Sequence, residues 1–413
     1  MSETRAAPRH AAMNQFSVVD GELAIGGMPL SRLAARVGQT PFYAYCRRAL
    51  TGRVAELRAA LPPGVQLHYA MKANPMPALV GFMAGQVDGL DVASGRELRV
   101  ALDSGMAPAE ISLAGPGKSE AELEQAVAAG VLLNVESARE VRLLADISDR
   151  TGWSARVAVR INPDFELKSS GMKMGGGPKQ FGVDAELVPA LLAEIGELGL
   201  AFEGFHLYAG SQNLRAEAIV EAQRKSFDLC IRLADAAPSP VKTFNLGGGF
   251  GIPYFPGENR LDLAPVGANL AQLQAEASTR APGSALVIEL GRYLVGEAGI
   301  YVCKVVDRKV SRGHTFLVTD GGMHHHLAAS GNFGQVIRKN YPVAIGNRMD
   351  SMEHETVSAV GPLCTPLDLL ADKMELPTAK EGDLLVVFQS GAYGMSASPR
   401  DFLSHPQPLE VLV

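Results

Sequence analysis

Lys72 closes the apolar run QLHYAMK, beside small residues and just before Pro75. Partial desolvation at such a strand end lowers an ammonium pKa and favours a nucleophilic or Schiff-base amine. A lysine snorkelling out of a strand end is the other reading. Glu289 closes a second apolar run, ALVIE. A carboxylate there can hold a ring nitrogen protonated as an electron sink, or form a plain ion pair. Gly247, Gly248 and Gly249 close a third run, FNLGGGFG. Backbone N–H groups without side chains approach an anion closely, although a simple turn explains three glycines equally well. Ser211 in AGSQ and Arg292 in ELGRY add a hydroxyl and a guanidinium to a phosphate cradle. The nucleotide pattern GxxxxGK[ST] does not occur.

These groups are spread over more than 200 positions, so the fold has to gather them. From Pro41 the pattern alternates strand and helix: FYAYC, QLHYAMK, GLDVAS, ISLAG, LLNVES, RVAVRIN, FEGFHLYAG, TFNLGGGFG and ALVIELG, with helical periodicity between them. About eight such units between residues 41 and 295 suit a (β/α)8 TIM-like barrel, although a doubly wound sheet gives a similar alternation. In a barrel, the strand ends carrying Lys72, Asp91, Ser94, His206, Gly210, Ser211, Gly247, Glu289 and Arg292 share one mouth. Beyond Gly291 the texture turns to strands and turns, so residues 296–413 are expected to form a C-terminal β-rich, barrel-like domain. The hairpin pattern FSVVDGELAIGGMPL, within residues 15–40, is expected to join that domain. Residues 1–14 read as disordered.

Composition bounds the class. The chain has 413 residues, 47% of them hydrophobic and 20% charged, enough for an ordinary core without metals or disulfides. Its net charge of −6, with no basic stretch, argues against nucleic acid or an anionic membrane as partner. Cys46, Cys230, Cys303 and Cys364 are scattered, as expected for reduced thiols in the cytoplasm. The N-terminus lacks the apolar stretch of a secretory signal, and no run reaches the length of a spanning helix.

Taken in order, the motifs resemble the fold-type III PLP decarboxylases, the group of diaminopimelate and ornithine decarboxylases, from about Pro41 to the C-terminus. YAMKANP resembles the family's lysine motif, which implies that Lys72 carries pyridoxal 5′-phosphate as a Schiff base. GLDVASGRE, with Asp91, Ser94 and Glu97, resembles the segment near the cofactor. HLYAGSQ resembles H-x-H-I-G-S-Q and implies a phosphate contact from Ser211. NLGGGFG resembles the phosphate loop. ELGRY resembles E-P-G-R, implying that Glu289 pairs with the pyridine nitrogen and that Gly291 and Arg292 help hold phosphate. GPLCTPLD resembles the segment whose cysteine, here Cys364, donates a proton across a homodimer interface. QSGAYG places Tyr393 near the phosphate.

The departures bear on the substrate. Tyr208 takes the place of the histidine that stacks on the ring, while His206 matches the earlier histidine and is expected on the substrate side. Leu290 replaces the proline of E-P-G-R. Thr365 replaces the acidic reader of a distal ammonium. DGGMHHHLAASGNFGQ replaces the arginine-bearing R-P-x-x-Y segment that reads a distal carboxylate. A site that has lost such readers loses the selectivity they confer. The pattern is similar to a subgroup from specialised biosynthetic clusters, including exosortase-associated, siderophore-pathway and carrier-protein-linked decarboxylases. The expected substrate is a non-standard or carrier-linked amino acid. Diaminopimelate and an alanine-racemase-like racemisation are the alternatives, with a catalytically dead regulator or a plain binding barrel behind them. Three adjacent histidines, His324 to His326, cannot all face one ion on a strand, and no Cys or carboxylate partner stands at finger-like spacing. No metal is expected. His324 and His325 are assigned to substrate recognition at the mouth, with a solvated loop as the other reading.

Overall fold

The computed structural model describes residues 8–166, 172–173 (backbone alone) and 175–413. The chain divides into two compact units. One holds residues 53–251 and 261–291, the other residues up to 52, 252–260 and 292–413.

The first unit is the barrel. Eight parallel strands, Gln66–Ala70, Gly89–Val92, Ile111–Leu113, Leu132–Val135, Arg156–Asn162, Ala201–His206, Thr243–Gly248 and Ala285–Leu290, pair in sequence order, and the last pairs with the first. Helices follow seven of them, so the strands are covered on both faces and read as nearly continuous apolar runs. Three successive helices start on the same device: Ser94, Ser119 and Ser137 each accept the N–H of the glutamate three residues on. The cap satisfies an N–H the helix leaves unbonded and fixes where the chain leaves the barrel mouth.

The second unit is β-rich. Gly299–Ser311 is its longest strand, flanked by Phe42–Tyr45, His314–Thr319 and Leu384–Val387; His354–Val360, Leu369–Pro377, Val343–Ile345 and Leu409–Leu412 complete the sheet. Phe42–Tyr45, which strand–helix alternation assigns to the start of the barrel region, pairs instead with Gly299–Val302 and Leu409–Leu412. Its four residues are fully buried, and periodicity cannot say which sheet buries a short apolar strand. Ser17–Val19 and Glu22–Ile25 pair around Asp20-Gly21, both at positive φ, the geometry a tight hairpin of right-twisted strands needs. Leu23, Ile25, Leu30 and Leu33 then join Phe42, Ala44, Ile300, Val302 and Val386 in one core. Of the N-terminal residues expected to be disordered, 1–7 lie outside the described residues. Residues 8–14 are held: Arg9 O accepts from Gly257 N, and His10 Nε2 lies 2.8 Å from Asn340 O. Among the described residues no helix is long and apolar enough to cross a membrane.

Candidate active site

Every barrel strand carries a buried polar side chain: His68, Asp91, Ser112, Asn134, Arg160 (with Asn162 on the same strand), His206, Asn245 and Glu289. Together they form a polar belt just beneath the mouth. Asp91 Oδ1 lies 3.1 Å from His68 Nδ1 and accepts from Ser112 Oγ at 2.6 Å, and Ser112 Oγ accepts from Asn134 Nδ2 at 3.2 Å. Arg160 Nη1 donates to Glu136 at 2.9 Å, and Glu136 also accepts from the backbone N–H of Gly115 and Gly182. Across the belt, His206 Nε2 lies 3.0 Å from Glu289 Oε2, close enough for charge attraction but without hydrogen-bond alignment. Asn245 Nδ2 donates to the same oxygen at 3.3 Å.

Glu289 is the electrostatic centre. Burial pushes its carboxyl up, but the His206 ring, Lys72 and Arg160 outweigh burial and hold it down at about 2. It therefore stays a carboxylate at neutral pH. His68 moves the other way: burial opposes its charge, and Asp91 wins and raises it.

Lys72 sits in a single tight turn, Met71–Ala73, directly after its strand. Its Nζ lies 5.1 Å above the centre of the Tyr208 ring, a cation–π distance. The desolvation expected for Lys72 is not observed. The residue is exposed, because the turn lifts it from the strand to the open rim. The glycines make room around it. Gly291 lies so close that a Cβ would meet Ala73 Cβ at 2.9 Å and Ala70 O at 3.0 Å, the residues on either side of Met71-Lys72. Gly247 (φ +68) would meet Leu207 O at 2.5 Å and Tyr208 Cδ2 at 3.1 Å, so only glycine lets the loop pass under the Tyr208 ring. Gly249 (φ +78) packs on the Gly210 carbonyl, beside Ser211. Lys72, Asp91, His206, Tyr208, Ser211, Gly247 to Gly249, Glu289 and Gly291 are thus gathered at one end of the barrel.

Other expectations are redirected. Ser94 and Glu97 form a helix cap: Ser94 Oγ accepts from Glu97 N, and Glu97 Oε2 accepts from Ala93 N at 2.7 Å. His206, expected to face the substrate, is 2% exposed and turned toward Glu289. His324, His325 and His326 are neither at an open mouth nor in a solvated loop: all three are 0% exposed in a turn of the β-rich unit. His325 bonds Pro406 O and lies 3.2 Å from Tyr301 OH, and His326 bonds Ser390 Oγ. Burial lowers all three, to about 3, 4 and 3. They are neutral core rings, because the surrounding tyrosines and turn backbone leave them no water.

The remaining site residues lie in the β-rich unit. The Arg292 guanidinium lies over Tyr393 at 4.8 Å and donates to Tyr254 OH at 3.1 Å. Cys364 is exposed at the tip of a turn. Asp368 holds that turn, its carboxylate accepting from Leu363 N at 2.8 Å and Met323 N at 2.6 Å. Thr365 Oγ1 accepts from Leu367 N within the turn. Tyr254, Asp368 and five belt residues (His68, Ser112, Asn134, Arg160 and Asn245) were not singled out from sequence. The belt had a usable signal: each apolar run is interrupted by at least one polar residue.

The family of pyridoxal-dependent decarboxylases, represented by its pyridoxal-binding domain, matches residues 47–296. The chain belongs to this family. It is 40% identical to the L-glutamyl-[BtrI acyl-carrier protein] decarboxylase of Niallia circulans, over 91% of this chain and 89% of that protein. It is 33% identical to the diaminopimelate decarboxylase of Aquifex aeolicus, over 95% and 91%. The structure of M. jannaschii diaminopimelate decarboxylase in co-complex with L-lysine superposes with a TM-score of 0.86 at 26% identity, covering 96% and 92% of the two chains. The decarboxylase thus has a TIM-like barrel joined to a β-rich domain, as the resemblance implied, and the racemase and binding-protein alternatives fall. The barrel end also fits the family's cofactor on its own geometry. A carboxylate held ionised, an exposed amine over an aromatic face and a loop that only glycine can form are the groups a phosphorylated pyridine aldehyde requires. Buried Asp91 Oδ2 and His68 Nε2, without hydrogen-bond partners, add polar atoms beneath it.

Proposed function

We propose that the decarboxylase binds pyridoxal 5′-phosphate through Lys72 and removes the α-carboxylate of an amino acid presented on a carrier protein, with a glutamyl group the first candidate. The carrier-linked reading is supported by the 40% identity to a glutamyl-carrier decarboxylase over nearly the whole chain, together with Thr365 in place of an acidic distal reader. The mechanistic reading rests on Glu289, a buried carboxylate held ionised at the barrel end that carries Lys72.

Bound there, the cofactor supplies an electron sink for the pair left on the α-carbon when carbon dioxide departs. Glu289 keeps the ring nitrogen protonated. Tyr208 supports the ring face by stacking, without an imidazolium's charge. Gly247 to Gly249, Ser211 and Gly291 would hold the phosphate, a role the family resemblance also gives to Arg292 and Tyr393. Cys364, or Lys72, delivers the proton that replaces the lost carboxylate. Cys364 serves the second subunit of a homodimer: it is exposed on the same unit as Phe333, Val336, Ile337 and Leu367, large apolar side chains 48% or more exposed. The enzyme works in the cytoplasm.

The test has two parts. Borohydride reduction of the PLP-loaded protein followed by peptide mass analysis is expected to find the cofactor mass on Lys72; its appearance on another lysine, or on none, ends the mechanistic reading. Carbon dioxide release is then compared for glutamyl-carrier, free glutamate and diaminopimelate. Release from diaminopimelate alone ends the carrier-linked reading.

A further inference from the structure

A cleft in the β-rich unit has no part in the chemistry described so far. It encloses about 890 Å3, lined by residues 8–10, Pro256, 338–340 and 372–375. Asn340 ties its walls together. Its carbonyl lies 2.8 Å from His10 Nε2, its Nδ2 donates to Asp372 O at 2.7 Å, and its Oδ1 accepts from Arg338 Nη1 at 2.7 Å. The walls present Arg9, Arg338, Lys339 and Lys373 against the two carboxylates Asp372 and Glu375.

Two features give this cleft a net attraction for anions. Arg338 is half-buried, yet among the described residues its guanidinium donates to neutral oxygens, those of Ser330, Asn340 and Leu369, at 2.7–3.1 Å. Among those residues Asp372 meets its charge at longer range. Arg9, Lys339 and Lys373 are exposed. On a chain whose net charge is −6, a cluster of four cations against two carboxylates gives this cleft a local attraction for anions.

Within the β-rich unit the cleft's rim is also packed onto Arg292. Lys339 Nζ lies over Phe255 at 5.6 Å, Phe255 meets Tyr341 at 5.9 Å, Tyr341 meets Tyr254 at 4.8 Å, and Tyr254 lies under Arg292 at 5.4 Å. One continuous packed run therefore joins the basic rim to the arginine assigned to phosphate.

The shape decides between a small anion and a protein. A small phosphate needs convergent donors, as the glycine loop offers. Here three of the four cations are exposed side chains that act at range, which suits an acidic protein surface. We infer that this cleft docks the acidic body of the carrier protein that presents the amino acid, an inference that rests on the carrier-linked function proposed above.

The probe is fluorescein-labelled BtrI acyl-carrier protein, with binding to the PLP-loaded enzyme followed by anisotropy. Turnover is followed in parallel with glutamyl-BtrI and with glutamyl-pantetheine thioester, which lacks the carrier body. For a Lys339→Glu/Lys373→Glu double variant of unchanged melting temperature, carrier Kd and KM are expected to rise about tenfold or more, with kcat and the pantetheine-thioester KM unchanged. Raising salt from about 50 to 300 mM should weaken the parent more than the variant, because it screens the charges the variant has lost. Carrier affinity within about twofold of the parent, or an equal rise in KM for the pantetheine thioester, overturns the docking. A parent enzyme that decarboxylates the pantetheine thioester but does not bind the carrier also overturns it. Carrier binding that the variant loses, with no carbon dioxide from either thioester, supports the docking and removes only the glutamyl assignment.

Discussion

Glu289 and His206 sit 3.0 Å apart, 7% and 2% exposed. Burial alone would protonate the carboxyl, and the His206 ring is the first of three groups that prevent it. The sign follows from a depressed folded-state value. The ionised carboxylate stabilises the fold above its unfolded pKa of about 4.3, and that contribution disappears as pH falls toward about 2. His206→Leu removes the nearest opposing group. Stability at pH 7 is expected to fall by roughly 3 kcal/mol, the cost of a buried charge that has lost its partner, and the acid limb of kcat/KM should move to higher pH. A merely structural histidine would lower stability and leave that limb in place. The pH–rate profile therefore decides whether His206 positions the charge of Glu289.

At the scale of elements, two glycines with similar backbone angles make a matched pair. Gly130 (φ +74) ends a helix with nothing within 4 Å of an added Cβ, whereas Gly249 (φ +78) lies against the Gly210 carbonyl. Gly130→Ala is expected to cost about 1 kcal/mol of backbone strain and to leave PLP affinity unchanged. Gly249→Ala has to displace the Gly210-Ser211 segment and should weaken PLP binding at least tenfold, measured by cofactor absorbance titration. Equal effects would mean the glycine loop is only a turn. The histidine turn gives a second prediction. Each ring stays neutral in the fold but takes a proton when the chain unfolds below about pH 6.5. Folded values of about 3 to 4 mean that this stability is complete above pH 6.5 and declines as pH falls toward 4. Carboxyls raised by burial, Asp368 and Glu410 among them, oppose the trend, so the clean readout is a difference. His324, whose ring nitrogens make no hydrogen bond, is the position to change. His324→Phe should gain more stability at pH 5 than at pH 7.5 in urea melts. A gain independent of pH would show that the ring is not kept neutral.

For the whole molecule, Val336 and Ile337 are 101% and 74% exposed, an unusual position for β-branched apolar side chains unless a second surface covers them. The Val336→Asp/Ile337→Asp variant is expected to sediment as a monomer and, on the proposed role of Cys364 across a homodimer, to lose most of its turnover. A fully active monomer would place the proton donor within one chain.

Much of this was legible in the order of residues. Lys72, the glycine loop and Glu289 stood out because each closes an apolar run, Cys364 emerged only through the family resemblance, and strand–helix alternation suited a barrel without excluding a doubly wound sheet. What the order could not express was partnership. Phe42–Tyr45 alternates like a barrel strand but is claimed by the β-rich sheet, since a short buried strand carries no mark of its neighbour. His206 looked available to substrate and instead faces Glu289. Three histidines that invited a role at the mouth became neutral packing among tyrosines. Desolvation and pairing depend on what the rest of the chain brings within a few ångströms, so the chemistry of a group was set by its type, and its protonation and access by tertiary structure.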